Sequence, residues 1–134
     1  ELNPEITILV LSKTPKETMI QYQVDSTHRF NLFYVARAIK KTRLFMAGGG
    51  SLIQDNTSTR SIFYYLSVLR MAKKAHAKVM LFANGMGPIK RPINRRFAAS
   101  VLNNIDAISL RDKISLQEIK NLKHCHFFYF HFGL

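Results

Sequence analysis

The residues best placed for chemistry lie between Arg43 and Arg60, RLFMAGGGSLIQDNTSTR. A short apolar run, Leu44 to Ala47, reads as a buried strand. Gly48, Gly49 and Gly50 come next, then a row of small polar side chains: Ser51, Gln54, Asp55, Asn56, Thr57, Ser58 and Thr59. A helical apolar pattern resumes at Ser61. Glycine permits positive φ and lets a ligand approach without a Cβ in the way. The unpaired N–H groups of a helix start favour an anion. The stretch is a candidate cradle for a phosphate or carboxylate. It reads equally as a strand-to-helix turn that needs glycine for its geometry, since GGGS has neither the Walker A nor the GxGxxG spacing.

Four further features could serve a ligand. Asp55 is the one acid in the glycine-rich loop; it can orient a sugar hydroxyl, take a proton, or simply cap a turn. Arg60 stands near a helix start, where the macrodipole disfavours a cation. That misfit fits either an anion partner or a surface arginine. Arg111 comes directly after a strand and can grip phosphate or carboxylate in bidentate fashion, or pair with a neighbouring acid. Lys90, Arg91, Arg95 and Arg96 form a basic cluster after Pro88. It suits a solvated face, a polyanionic acceptor or membrane headgroups.

The elements that must position these residues alternate. Ile6–Leu11 is a buried-strand run. Thr14-Pro15-Lys16-Glu17 opens a helix ending near Tyr22. Val24–Thr27 is a short strand. Asn31–Lys41 is an amphipathic helix with Leu32, Val35, Ala36 and Ile39 apolar and cations in its last turn. After the central strand, Ser61–Ala75 is a helix, Val79–Ala83 a strand, and Ile93–Asn103 a helix with Ile93, Phe97, Val101 and Leu102 on one side. Ala107–Leu110 is a strand, and Asp112 caps a last helix, Lys113–Leu122. This order implies an α/β domain with a parallel sheet. Ligands of such sheets bind beyond the carboxyl ends of the strands. Three polar loops fall there: Gly48–Arg60, Asn84–Pro88 with Gly85 and Gly87, and Arg111-Asp112.

Composition sets the bounds. The 134 residues suffice for one domain, and 47% are hydrophobic. Twenty Lys and Arg against eight Asp and Glu give +12, which attracts nucleic acid, an anionic membrane or phosphorylated substrates. No RNP, KH or zinc-finger motif is present, so no nucleic-acid partner is expected. The one cysteine, Cys125, excludes an internal disulfide and suits a reducing compartment. No apolar run is long enough to span a membrane. His124, Cys125, His126 and His131 match no zinc spacing, so no metal is expected; HFFYFHF reads as an apolar strand or as a chain end that departs from its normal reading. No Ser–His–Asp arrangement can be argued, and His28 and His76 read as structural or surface residues.

The runs GGGSLIQDNTSTRSIFYYL, VMLFANGMGPI and NNIDAISLRD together resemble the bacterial polysaccharide pyruvyl transferases of the CsaB type. The resemblance covers about Asn3 to Leu122, and GGGSxxQDxTSTRSxxYY is its most specific part. It implies a Rossmann-like parallel sheet with helices on both faces, forming the N-terminal half of a GT-B-like enzyme. It also implies transfer of an enolpyruvyl group from phosphoenolpyruvate to a sugar, giving a pyruvate ketal and phosphate with no cofactor. The acceptor is expected to be N-acetylmannosamine in a lipid-linked precursor of a secondary cell-wall polysaccharide. The ketal then serves S-layer anchoring. The implied location is cytoplasmic, with peripheral contact at the inner face of the membrane.

Carried over residue by residue, Gly48, Gly49, Gly50 and Ser51 fall in the family's glycine loop. Thr57, Ser58 and Arg60 fall in its polar continuation, and Gly85 and Gly87 in the second loop. These are the expected substrate-binding residues. Arg111 and Asp55 are the expected catalytic ones, Arg111 holding the donor's phosphate or carboxylate. The family's opening strand and first glycine loop are expected before Glu1, and its C-terminal domain after Leu134. Residues 1–122 therefore read as a partial N-terminal domain and 123–134 as an atypical tail. The expectation is an incomplete chain, inactive alone; phosphoenolpyruvate-dependent phosphate release would overturn it. The competing reading is a sugar-nucleotide glycosyltransferase of GT-B type. Protection against heat by a nucleotide diphosphate, with none by phosphoenolpyruvate, would favour it.

Overall fold

The computed structural model describes residues 6–55, 58–122 and 129–131. The chain divides into two units, Glu1–Lys41 and Thr42–Leu134. Within the described residues every strand pairing is parallel. The protein is an α/β protein of Rossmann-like type.

The first unit holds β1 (Leu9–Ser12), α1 (Pro15–Tyr22), β2 (Asp25–His28) and α2 (Leu32–Ile39), with β1 paired to β2. Pro15 takes the first position of α1 as expected, but the Thr14 side chain makes no cap bond. The Ser12 hydroxyl instead accepts from the Thr14 N–H and from the Thr18 hydroxyl. The Asn31 side chain caps α2 by accepting from the Tyr34 N–H. Val35 and Ile39 of α2 are buried, whereas Leu32, expected on the same apolar face, is 54% exposed.

The second unit carries β3 (Leu44–Gly48), α3 (Thr59–Lys74), β4 (Lys78–Asn84), α4 (Pro92–Leu102), β5 (Ala107–Leu110), α5 (Lys113–Asn121) and β6 (Tyr129–His131). Its sheet runs in the order β3-β4-β5-β6. The strand expected in the terminal aromatic run is β6. The core joins Ile62, Leu66, Leu69 and Ala72 of α3 to Val79 and Leu81 of β4 and Ile108 and Leu110 of β5. The spacing in α3 is that of one helix face. Ser58 caps α3, accepting from the Arg60 N–H. His76 turns the chain after α3 at φ 63, a conformation usually left to glycine.

Two departures from expectation bear on the site. Ile93 is 67% exposed, and Asn94 takes the buried place in the first turn of α4. Asn94 shares the buried face with Ala98, Val101 and Leu102 and is bonded there to Asp55. Phe97 stacks on Phe63 of α3 at 5.1 Å. The β4–β5 register also shifts between Leu81 and Asn84, with Ala83 at φ 46. Such a bulge bends the strand end and re-aims the loop that leaves it.

Asp106, in the turn before β5, ties the opposite end of the sheet. It accepts from Lys73 (2.8 Å), from Lys78 (3.2 Å) and from the Val79 N–H (2.8 Å). Partial burial pushes its carboxyl up, but these donors outweigh that and hold it at about 2. A folded value below the ordinary 3.8 means the stabilisation is present above that pH and vanishes as pH falls through about 2. Asp106→Asn is expected to cost on the order of 1 kcal/mol at neutral pH, after solvent screening, and nothing near pH 2. Urea melts of both proteins across that range check it.

Candidate functional site

The three loops expected at the carboxyl edge meet there. Gly48 ends β3 beside Phe82 of β4. Gly49 and Gly50 both have positive φ, 72° and 67°, which turns the chain back along the second loop. The Gly49 N–H donates to the Phe82 carbonyl (3.3 Å), and the Gly85 N–H to the Gly50 carbonyl (2.8 Å). Ile53 pairs with Met86 as an isolated bridge, and the Gly87 N–H donates to the Ile53 carbonyl. The first two loops thus zip together beyond the strands that carry them.

Arg111 reaches this seam from the end of β5. Its N–H donates to the Asn84 carbonyl, and its Nη2 stands 3.4 Å from the Ser51 hydroxyl. Its Nε faces Asp112 at 3.4 Å. Of the uses open to Arg111, the pairing with a neighbouring acid is seen here, while its other end faces the Ser51 hydroxyl. Asp112 mainly serves α5: its Oδ1 accepts from the N–H and the hydroxyl of Ser115, each at 2.7 Å. Those two bonds, with Arg111 adding to them, hold its carboxyl below the ordinary range.

Gly85 makes the meeting possible. A Cβ there would lie 2.6 Å from the Ser51 hydroxyl and 2.7 Å from Arg111 Nη2, closer than carbon can approach. Gly87 has a different reason. A Cβ there would lie 2.8 Å from the Cβ of Gln54, so Gly87 is small to let Gln54 pack.

The backbone of the second loop is fully committed. From Gly85 to Arg91 every N–H has an internal acceptor. Met86 donates to Ser115 Oγ (2.8 Å) and Ile89 to Glu118 Oε1 (3.1 Å), while Lys90 and Arg91 donate to the Asp55 carboxylate at 3.0 Å. Gly85 and Gly87 donate to the first loop, and Pro88 has no N–H. This loop therefore has no backbone donor left for an anion. Among the described residues, the N–H groups of Gly50 and Ser51 donate to nothing. They stand in the sequence next to the Ser51 hydroxyl that faces Arg111. Those two amides, that hydroxyl and the guanidinium are donors that lie together at this rim.

Asp55 acts on the far side of the seam. Its carboxylate takes the Lys90 and Arg91 N–H groups and the Asn94 amide (3.1 Å). Burial pushes its carboxyl up, and these donors more than reverse the shift, so it lies below the ordinary value. Of the roles open to Asp55, the geometry supplies the capping one: it clamps the start of α4 from another loop. Ser58 is spent as the cap of α3. Arg60 is exposed, and no hydrogen bond or ion pair joins it to Ser51 or Arg111 among the described residues. Thr57 lies outside the described residues, as do His124, Cys125 and His126.

One family model, polysaccharide pyruvyl transferase, matches the chain over residues 1–127. The chain belongs to the polysaccharide pyruvyl transferase family. No curated protein and no solved structure matches it. In this chain Ser115 and Glu118 hold the second loop and Asn94 braces the Asp55 carboxylate that also holds it, although sequence reasoning does not single them out. The sequence signal for Ser115 is its place three residues after the cap Asp112. Asn84 is a further residue that sequence reasoning misses. It is fully buried, and its Oδ1 and Nδ2 have no partner among the described residues.

Asp55→Ala is expected to destabilise the protein by about 1–2 kcal/mol, the usual cost of losing a helix cap. Because the folded carboxyl is depressed, this loss is largest above the ordinary 3.8 and shrinks as pH falls below it. Thermal melts of both proteins at neutral and acid pH check the sign.

Proposed function

We propose that the rim formed by Gly50, Ser51 and Arg111 binds phosphoenolpyruvate and that the protein serves pyruvate ketal formation on a polysaccharide sugar. Membership of the family supports the reaction class. One observation supports the site: at this edge the second loop has no backbone donor left, while Gly50, Ser51 and the Arg111 guanidinium keep theirs, and Gly85 has no side chain to separate Ser51 from Arg111.

The donor is a small dianionic ester with a carboxylate, and a guanidinium with two amides and a hydroxyl suits either anionic end. In the reaction, the enol carbon C3 takes a proton and C2 becomes oxocarbenium-like. Two sugar hydroxyls then form C–O bonds to C2 while the C2–O bond to phosphate breaks. One hydroxyl proton balances the methyl group at C3, and the other leaves with the phosphate. Arg111 and the amides stabilise the charge gathering on the departing phosphate. Asp55 enters as the residue that fixes the second loop, against which Ser51 and Arg111 are set. The acceptor is read as N-acetylmannosamine in a lipid-linked precursor of a secondary cell-wall polysaccharide, met at the cytoplasmic face, with S-layer anchoring as the downstream use.

Gly85→Ala is expected to weaken phosphoenolpyruvate binding about tenfold or more, since the new methyl group must displace Ser51 or the guanidinium. Arg111→Lys, which keeps charge but loses the planar fork, is expected to weaken it similarly. Calorimetric titration of the folded variants tests both. Unchanged affinity in both would remove the site assigned here.

A further inference from the structure

We infer that α2 is a contact surface for an anionic lipid bilayer. Val35 and Ile39 form the buried side of this helix. Phe33 and Tyr34, 72% and 56% exposed, stand on its outward side with Arg37, one turn further along. Lys40 and Lys41 continue that side past the end of the helix and are exposed as well. Phe33 and Tyr34 lie edge to face at 5.8 Å, forming one aromatic wedge at the start of the helix. Just before it, Phe30 is 56% exposed under the Arg29 guanidinium, 4.8 Å from its ring centre.

Exposed aromatic rings beside cations suit a bilayer interface, where rings sit at headgroup level and cations meet anionic lipid. Charge points to the same partner. From Ser26 to Gln54 the chain has five cations and no acid. An anionic headgroup layer satisfies the cations while the rings enter the acyl boundary. Base stacking is less well served, because rings at successive helix positions fan apart rather than forming a flat platform. Helix α2 has eight residues and one side buried in the protein, so the contact proposed for it lies in the surface plane. The inference does not depend on which group the rim at Ser51 and Arg111 transfers.

The chain contains no tryptophan, so Phe33→Trp places a single reporter on the wedge. With vesicles of mixed phosphatidylglycerol and phosphatidylcholine, its emission is expected to shift to the blue and to be quenched by brominated acyl chains. Phosphatidylcholine vesicles alone should give little of either. In co-sedimentation, Arg37→Glu with Lys40→Glu should weaken binding about tenfold or more. Lys90→Glu with Arg96→Glu, the same charge change at and just before α4, should weaken it much less. Phe33→Ser with Tyr34→Ser should weaken it several-fold at unchanged charge. Equal losses from the two charge pairs would assign the binding to net charge and overturn the inference. So would unchanged binding of the serine pair, an unshifted Phe33→Trp emission on vesicles that pellet the protein, or tighter retention on single-stranded DNA through the same side chains. Circular dichroism melts confirm that each exposed substitution leaves the fold intact.

Discussion

The organisation of the site rests on the full internal pairing of the second loop. A buried or half-buried N–H without an acceptor is costly, and the loop between β4 and α4 has no ladder of its own to use. Here the acceptors come from elsewhere: two carbonyls of the first loop, the Ser115 hydroxyl, and the carboxylates of Glu118 and Asp55. Because these bonds tie it both to the first loop and to α5, the second loop becomes the fixed wall on which the first loop lies. The position of Ser51 depends on that wall, and so does the room for Arg111 over Gly85.

The same economy explains the charge. The second unit has four acids: Asp55, Asp106, Asp112 and Glu118. All four are turned inward, onto backbone N–H groups or nearby cations, and act as staples. Arg95 is drawn in with them, paired to Glu118 and to the Ile89 carbonyl. Of the basic cluster that the sequence suggests as one patch, Lys90, Arg91 and Arg96 are left outward. The outward charge of the second unit is thus mainly basic, since its four acids are committed to structure.

Much of this is legible in the sequence. The strand and helix order comes from apolar period and from caps such as Asp112, whose signal is local. The meeting of three polar loops at one edge comes from the parallel order alone. The illegible part depends on partners far apart in sequence. Asn94 lies 39 residues from Asp55, and Ser115 lies 29 from Met86. No local pattern announces such pairs, so Ile93 reads as the inward residue of α4 when Asn94 holds that place. The bulge at Ala83 is hidden for a related reason: alanine gives no cue for positive φ, and the sheet register imposes it. The single sheet expected from the element order is found as a two-stranded and a four-stranded sheet in separate units.

Amide NMR of the folded chain during titration with phosphoenolpyruvate addresses the division of donors directly. The N–H resonances of Gly50 and Ser51 should move downfield together with the Arg111 side-chain signal. Those of Met86, Ile89, Lys90 and Arg91 should stay almost still. Large shifts in that second set, with Gly50 and Ser51 unmoved, would show that the anion is held by a loop whose donors are here assigned to the protein itself, and the account would fail.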